Sequence, residues 1–173
     1  MNKVIIPTIP KELIDNKTIL LINPSGSFIK GGSFGDSGTT GRKIVCDTYG
    51  GVGRIGGGCL SSKDPTKVDR SGAYYSRYVA KNIVANNLAK KCEIQVAYAI
   101  GRSSPVSIYL NCFNTEKIPL ECIYKIIEKN FDFSVKNIIN ELNLRRPIYS
   151  QTSCYGHFGN PDYPWEKIKK LTV

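Results

Sequence analysis

Lysine and arginine meet phosphate oxygens, aspartate can hold a divalent cation, and glycine lets a backbone close on a ligand. The stretch from Gly56 to Arg70 combines all of these, as Gly56-Gly57-Gly58-Cys59-Leu60-Ser61-Ser62-Lys63-Asp64-Pro65-Thr66-Lys67-Val68-Asp69-Arg70. Upstream, Gly31 to Lys43 repeats the chemistry with Asp36, Arg42 and Lys43 among five glycines. Any single lysine is most often a solvated surface charge, so the case rests on Arg42, Lys43, Lys63 and Lys67 all lying beside glycine loops. Together they read as a phosphate-ligand site. Asp36, Asp64 and Asp69 can also serve as caps or ion-pair partners of those cations. Asp64, placed before Pro65, suits the cap of a helix opened by proline, and Asp69, one turn further in, is the better metal candidate.

Other motifs carry less. Gly35 to Lys43 departs from the Walker pattern, because Lys43 is followed by Ile44 and the glycine spacing is wrong. His157 is the only histidine and has no recognisable nucleophile, so its reading is hydrogen-bonded packing in a turn. Phe28 fits either the core or a stacking platform for a purine, and residue type alone favours core. The six cysteines include no C-x-x-C pair, which with one histidine argues against a zinc site and for reduced, mostly buried thiols.

A chain of 173 residues, 41% hydrophobic and 22% charged, is sized for an ordinary globular core. No apolar run approaches the roughly 20 residues of a membrane span, and the N-terminal apolar segment is too short for a secretory signal. The expectation is a cytoplasmic protein. A net charge of +10 calls for an anionic partner. Its distribution favours a small one over nucleic acid or a membrane, since twelve of the sixteen glycines lie between Gly26 and Gly58 beside the basic cluster. A polyphosphate-wrapping loop needs such glycines; a duplex-binding face does not.

The elements that must position these loops follow from periodicity. Thr18–Ile22 reads as a strand closed by Asn23-Pro24-Ser25-Gly26, and Lys43–Asp47 as a buried strand. Pro65 opens a helix pattern to about Leu88, with Tyr75, Val79 and Ile83 at four-residue spacing on its core face. Cys92–Ile100 and Val106–Cys112 read as strands with one wet face, followed by helices over Pro119–Lys129 and Ser134–Leu142. The aromatic, proline- and glycine-rich tail from Arg145 to Trp165 is expected to wrap the surface. The order predicts an α+β fold, a mixed sheet with helices packed on one face.

These residues closely resemble the methionine adenosyltransferase (S-adenosylmethionine synthase) family over nearly the whole chain. The resemblance runs through Ile22-Asn23-Pro24-Ser25-Gly26, Gly35-Asp36, Thr40-Gly41-Arg42-Lys43, Asp47-Thr48-Tyr49-Gly50-Gly51 and the glycine–lysine stretch. It continues through Arg77 to Val84, Tyr98-Ala99-Ile100-Gly101, Arg146-Pro147-Ile148-Tyr149, Tyr155-Gly156-His157-Phe158-Gly159 and Pro164-Trp165-Glu166. It implies an S-adenosylmethionine synthetase-like fold and attack of the methionine sulfur on the ribose C5′ of ATP. The displaced triphosphate is then cleaved to pyrophosphate and phosphate. By the same resemblance Arg42, Lys43 and Lys63 are triphosphate ligands with catalytic roles, and Asp69 is a Mg²⁺ ligand. Asp36 receives the methionine ammonium, Lys67 sits near the methionine and phosphate end, and Phe28 and Ile100 wall the adenine. Mg²⁺ and K⁺ are the implied cofactors. Ile55, Leu60, Ser33 and Ser27 stand where the family usually has histidine, phenylalanine, proline and a basic residue.

Family chains carry two further stretches before this point, including a His-Pro-Asp motif and additional acidic and lysine ligands, and their active sites lie between subunits. Met1 falls mid-chain in that frame. The expectation is that residues 1–173 form a single unit matching the C-terminal part, the C-terminal-half subunit of a split, heteromeric synthase. An N-terminal-half subunit would complete its site. A non-catalytic paralogue that binds nucleotide or regulates a full-length synthase is the alternative, motivated by Ile55 and Leu60.

Overall fold

The computed structural model describes residues 3–20, 22, 26–27, 29–35 and 40–172. Backbone contacts separate two units, residues 1–38 and 39–173, and each is described by itself. The first holds two single-turn helices, α1 (Ile5–Thr8) and α2 (Gly32–Gly35), with a 3-10 turn at Lys11–Leu13 between them. None of its described residues is buried, and Val4, Leu13, Ile19, Ile29 and Phe34 are 66 to 89% exposed. The strand expected at Thr18–Ile22 does not form over residues 18–20 or at 22. The Asp15 carboxylate instead accepts the Lys17 N–H and the Thr18 hydroxyl, each at 2.9 Å, a local turn that competes with extended pairing. Leu21 and Asn23 to Ser25 lie outside the described residues, as do Phe28 and Asp36.

In the second unit the expected strand at Lys43–Asp47 is a helical turn, α3 (Ile44–Asp47), with no buried residue. The apolar run finds no strand to pair with among the described residues. It closes on itself through Gly50 N–H to the Val45 carbonyl at 2.7 Å, with Gly50 and Gly51 both at positive φ.

The centre of the unit is α4 (Val68–Ala85), whose inner face carries Tyr74, Tyr75, Tyr78, Val79, Asn82 and Ile83 at three- and four-residue spacing. It starts three residues later than Pro65: Asp64 caps a turn by accepting the Thr66 N–H at 2.8 Å, and Lys67 occupies the helix N-cap. It ends at Asn87, in left-handed conformation at φ +63, where the N–H of Leu88 reaches the Ile83 carbonyl and that of Asn87 the Val84 carbonyl. This is a Schellman closure with asparagine in the glycine position.

Strands β1 (Glu93–Ala97) and β2 (Ser107–Asn111) pair antiparallel, from Glu93 opposite Asn111 to Ala97 opposite Ser107. They are the only sheet among the described residues, so the architecture is α+β with two antiparallel strands in place of the expected mixed sheet. Leu110 points into the core and Tyr109 is 54% exposed, the expected alternation. Two further helices, α5 (Leu120–Asn130) and α6 (Val135–Glu141), complete the unit. Ser134 caps α6 with its hydroxyl, as its residue type suggests.

The tail lies across the surface, as expected, but is pinned by buried side chains, Thr152, His157, Tyr163 and Trp165. Trp165 is fully buried and stacks on Tyr74 at 3.7 Å between ring centroids, with its indole N–H on the His157 carbonyl. Beyond it the chain runs along α4 on asparagine side chains. Asn82 donates to the Lys167 carbonyl and accepts the Lys169 N–H; Asn86 donates to the Lys169 carbonyl and accepts the Leu171 N–H. These amides, one helical turn apart, supply what a neighbouring strand would. No helix among the described residues is long and apolar enough to cross a membrane.

Candidate functional site

The glycine loop reaches α4 through one buried anchor, Leu60, which is 3% exposed in the core cluster. That anchor turns Ser61 inward and leaves Lys63 beside the start of α4, where its ammonium pairs with the Asp69 carboxylate. The pair is partly open to solvent, at 23% and 46% exposure. The Asp69 hydrogen bond raises the Lys63 pKa above its ordinary 10.5, so the ammonium is charged at neutral pH. Gly58 lies directly against the Asp69 carboxylate, and a Cβ at that position would overlap it. Lys67 makes a looser contact, 3.6 Å from the Asp64 carboxylate.

The segment carrying Arg42 and Lys43 runs alongside this loop. Thr40 donates to Cys59 Sγ at 3.6 Å, and a Cβ on Gly41 would sit 3.6 Å from the Ser61 Cβ. The Thr40 hydrogen bond and the nearby Lys63 charge hold the Cys59 thiol below its ordinary range. Arg42 and Lys43 are exposed and make no ion pair among the described residues.

The structure therefore brings Lys63, Asp69 and Gly58 into contact and sets Arg42, Lys43 and Lys67 on the flanking segments. It does not bring in Ile100, which is fully exposed in the connection after β1. Phe28 and Asp36 lie outside the described residues. Asp69 is a single carboxylate, and no group of three His, Cys, Asp or Glu side chains among the described residues could hold a metal alone. One partly exposed carboxylate does fit Mg²⁺, which keeps most of its coordination for waters and phosphates.

Two residues behind the loop carry more than sequence reasoning gave them. His157 is 1% exposed: its Nδ1 lies 2.7 Å from the Tyr74 hydroxyl, its Nε2 lies 3.3 Å from Ser61 Oγ, and its backbone N–H donates to the Asp47 carbonyl. Burial pushes the Tyr74 phenol up to about 12, so it stays protonated and the Tyr74–His157–Ser61 chain links neutral groups. Burial, then the Arg70 charge, lowers the His157 pKa below 6.5, which keeps the ring neutral. The packing reading of His157 holds, with a tie to the loop added. Arg70, which the sequence placed only at the end of the Gly56–Arg70 stretch, is 5% exposed. The available signal was its position four residues before Tyr74, on the inner face of the helix.

A lysine–aspartate pair against glycine backbone, with further cations on the flanking segments, suits a polyphosphate ligand. Residues 30–167 match the family model described as S-adenosylmethionine synthetase, C-terminal domain. The chain belongs to this family. The S-adenosylmethionine synthase of Staphylococcus epidermidis is 56% identical over 172 residues, 98% of this chain and 43% of the relative. That of Oenococcus oeni is 58% identical over 170 residues, 97% of this chain and 44% of the relative. That of Mycoplasma mycoides subsp. mycoides is 60% identical over 154 residues, 89% and 40% respectively. The chain thus corresponds to a C-terminal half and spans less than half the length of these synthases.

Proposed function

We propose that this chain is the C-terminal-half subunit of a split S-adenosylmethionine synthase. In this reading residues 1–173 act as one functional unit, and a partner polypeptide supplies the N-terminal half. The supporting observation is the Lys63–Asp69 pair held against Gly58, flanked by exposed Arg42 and Lys43, which make no ion pair among the described residues. The exposure of Val4, Leu13, Ile19, Ile29 and Phe34, with no buried residue described in that unit, supports a partner that would cover them. The partner's strands would extend β1 and β2 to the mixed sheet expected of the fold.

The proposed reaction is attack of the methionine sulfur on the ribose C5′ of ATP, with triphosphate as leaving group, later cleaved to pyrophosphate and phosphate. Negative charge grows on the triphosphate as the C5′–O bond breaks. Arg42, Lys43 and Lys63 stabilise it from fixed positions, and Lys67 serves the methionine and phosphate end. Lys63 would pass from Asp69 to a phosphate oxygen, and the Asp69 carboxylate would be the residue that holds Mg²⁺. The bound ion would neutralise phosphate charge. Asp36 is assigned the methionine ammonium, Phe28 and Ile100 the adenine, and K⁺ a supporting role, on family resemblance. Six free thiols and no disulfide suit a cytoplasmic enzyme.

The non-catalytic alternative gains nothing from the loop, since Leu60 keeps an apolar anchor where the family usually has phenylalanine. Co-expression with a polypeptide bearing the N-terminal motifs should give S-adenosylmethionine from ATP and methionine, with neither chain active alone. Lys63→Ala should lower the rate about 100-fold or more. No activity at any ratio of the two chains would contradict the reading.

A further inference from the structure

A second cation sits beneath the glycine loop with no role in the reaction as proposed. Arg70 follows Asp69 on α4 and faces inward, 5% exposed. Its Nη1 donates to the Lys63 carbonyl at 2.6 Å, its guanidinium lies 4.4 Å from the centroid of the Tyr149 ring, and its Nε has no hydrogen-bond partner among the described residues. No described carboxylate pairs with it. A buried guanidinium without a counter-ion is costly, and burying a neutral side chain there would be cheaper for stability alone. Its charge also lies beside the Tyr74 hydroxyl, and its strongest directional bond among the described residues is to the backbone of Lys63.

That bond is half of a two-point fixation. Ser61, two residues earlier, is held by His157, which is held in turn by Tyr74 of α4. The loop backbone from Ser61 to Lys63 is thereby tied to the core side of α4, while the Lys63 ammonium meets Asp69 on the outer side. Adjacent residues of one helix thus grip the two ends of Lys63: Arg70 its carbonyl, Asp69 its ammonium.

We infer that Arg70 is a positioning residue for Lys63, holding its backbone so that the ammonium is presented to the phosphate chain of the ligand. The inference rests on the polyphosphate reading of the loop. Arg70 touches no reacting atom; it acts through Lys63.

The test is binding of inorganic tripolyphosphate to the full chain by titration calorimetry, in a double-mutant cycle of Arg70→Gln and Lys63→Ala. Glutamine keeps a donor for the carbonyl but loses the fork and the charge. Arg70→Gln should weaken binding about tenfold in the Lys63 background, the effect of losing one charge-assisted hydrogen bond, and about twofold or less once Lys63→Ala is present. Arg70→Lys should restore most of the affinity in the first background and change nothing in the second. Equal losses in both backgrounds, or no loss in either, would overturn the inference while leaving the polyphosphate reading intact. Failure of the unaltered chain to bind tripolyphosphate would overturn that reading and this inference with it. Should Arg70→Gln abolish the thermal unfolding transition, Arg70→Met, which fills the site without a donor, takes its place in the cycle. A loss confined to the Lys63 background supports positioning, and equal or absent losses refute it.

Discussion

Gly58 shows how tightly the candidate site is drawn at the scale of single residues. Its φ is ordinary, so what the position requires is space: an added Cβ would overlap the Asp69 carboxylate. Asp69 is half exposed and can swing away, so Gly58→Ala should leave the fold within about 1 kcal/mol. The swing frees the Lys63 ammonium from the carboxylate that a phosphate oxygen must displace, so tripolyphosphate affinity without divalent cation should rise about three- to tenfold by titration. Unchanged affinity would mean that the pair is incidental. The Lys63–Asp69 contact was legible because the sequence offered Asp69 as an ion-pair partner of the loop cations. Arg70 was not, because its meaning lies in which way α4 faces. His157 offered a packing reading, and the structure adds its tie to Ser61, contributed from 96 residues away.

At the scale of elements, α4 is held by the tail through one carboxylate. Glu166, whose side chain is fully buried, accepts from Arg77 at 2.9 and 3.0 Å, from Lys81 at 2.6 Å and from the Gly159 N–H at 2.8 Å. Burial alone would raise its pKa; the Arg77, Gly159 and Lys81 hydrogen bonds outweigh that and hold it below its ordinary 4.5. Glu166→Ala leaves two cations facing an empty slot and should cost about 3 kcal/mol, at the low end for a broken buried pair because both cations are partly exposed. A urea midpoint unmoved by the change would refute this. The helices α4, α5 and α6 and the strands β1 and β2 were legible in their apolar spacing. The tail was not, because it buries single aromatics and binds α4 through asparagine amides, neither of which has a period. The residues of α3 misread as a strand because an apolar run of four or five residues does not distinguish a strand from a helical turn.

At the scale of the whole molecule, pH dependence follows from groups held away from their ordinary titration. His157 faces Tyr74, Ser61, Arg70 and the Asp47 backbone, and its folded pKa is lowered by burial and then by Arg70. Between the lowered folded value and about 6.5 the unfolded chain binds more protons, so stability is full above about 6.5 and declines as pH falls below it. Glu166 acts in the same direction in a lower window, below about 4.5. The thermal midpoint should therefore drop between about pH 7 and pH 5, and His157→Gln should flatten that slope. A slope unchanged in the variant would assign it elsewhere.

The same scale carries the central claim, that this chain is one half of a synthase and works with another polypeptide. The most direct measurement is the mass of the native assembly purified from the cells that make it, by light scattering with peptide mass identification of every chain. The account predicts a hetero-oligomer whose second polypeptide carries the N-terminal synthase motifs and whose preparation forms S-adenosylmethionine. A homo-oligomer of this chain, with no such polypeptide present, would contradict it.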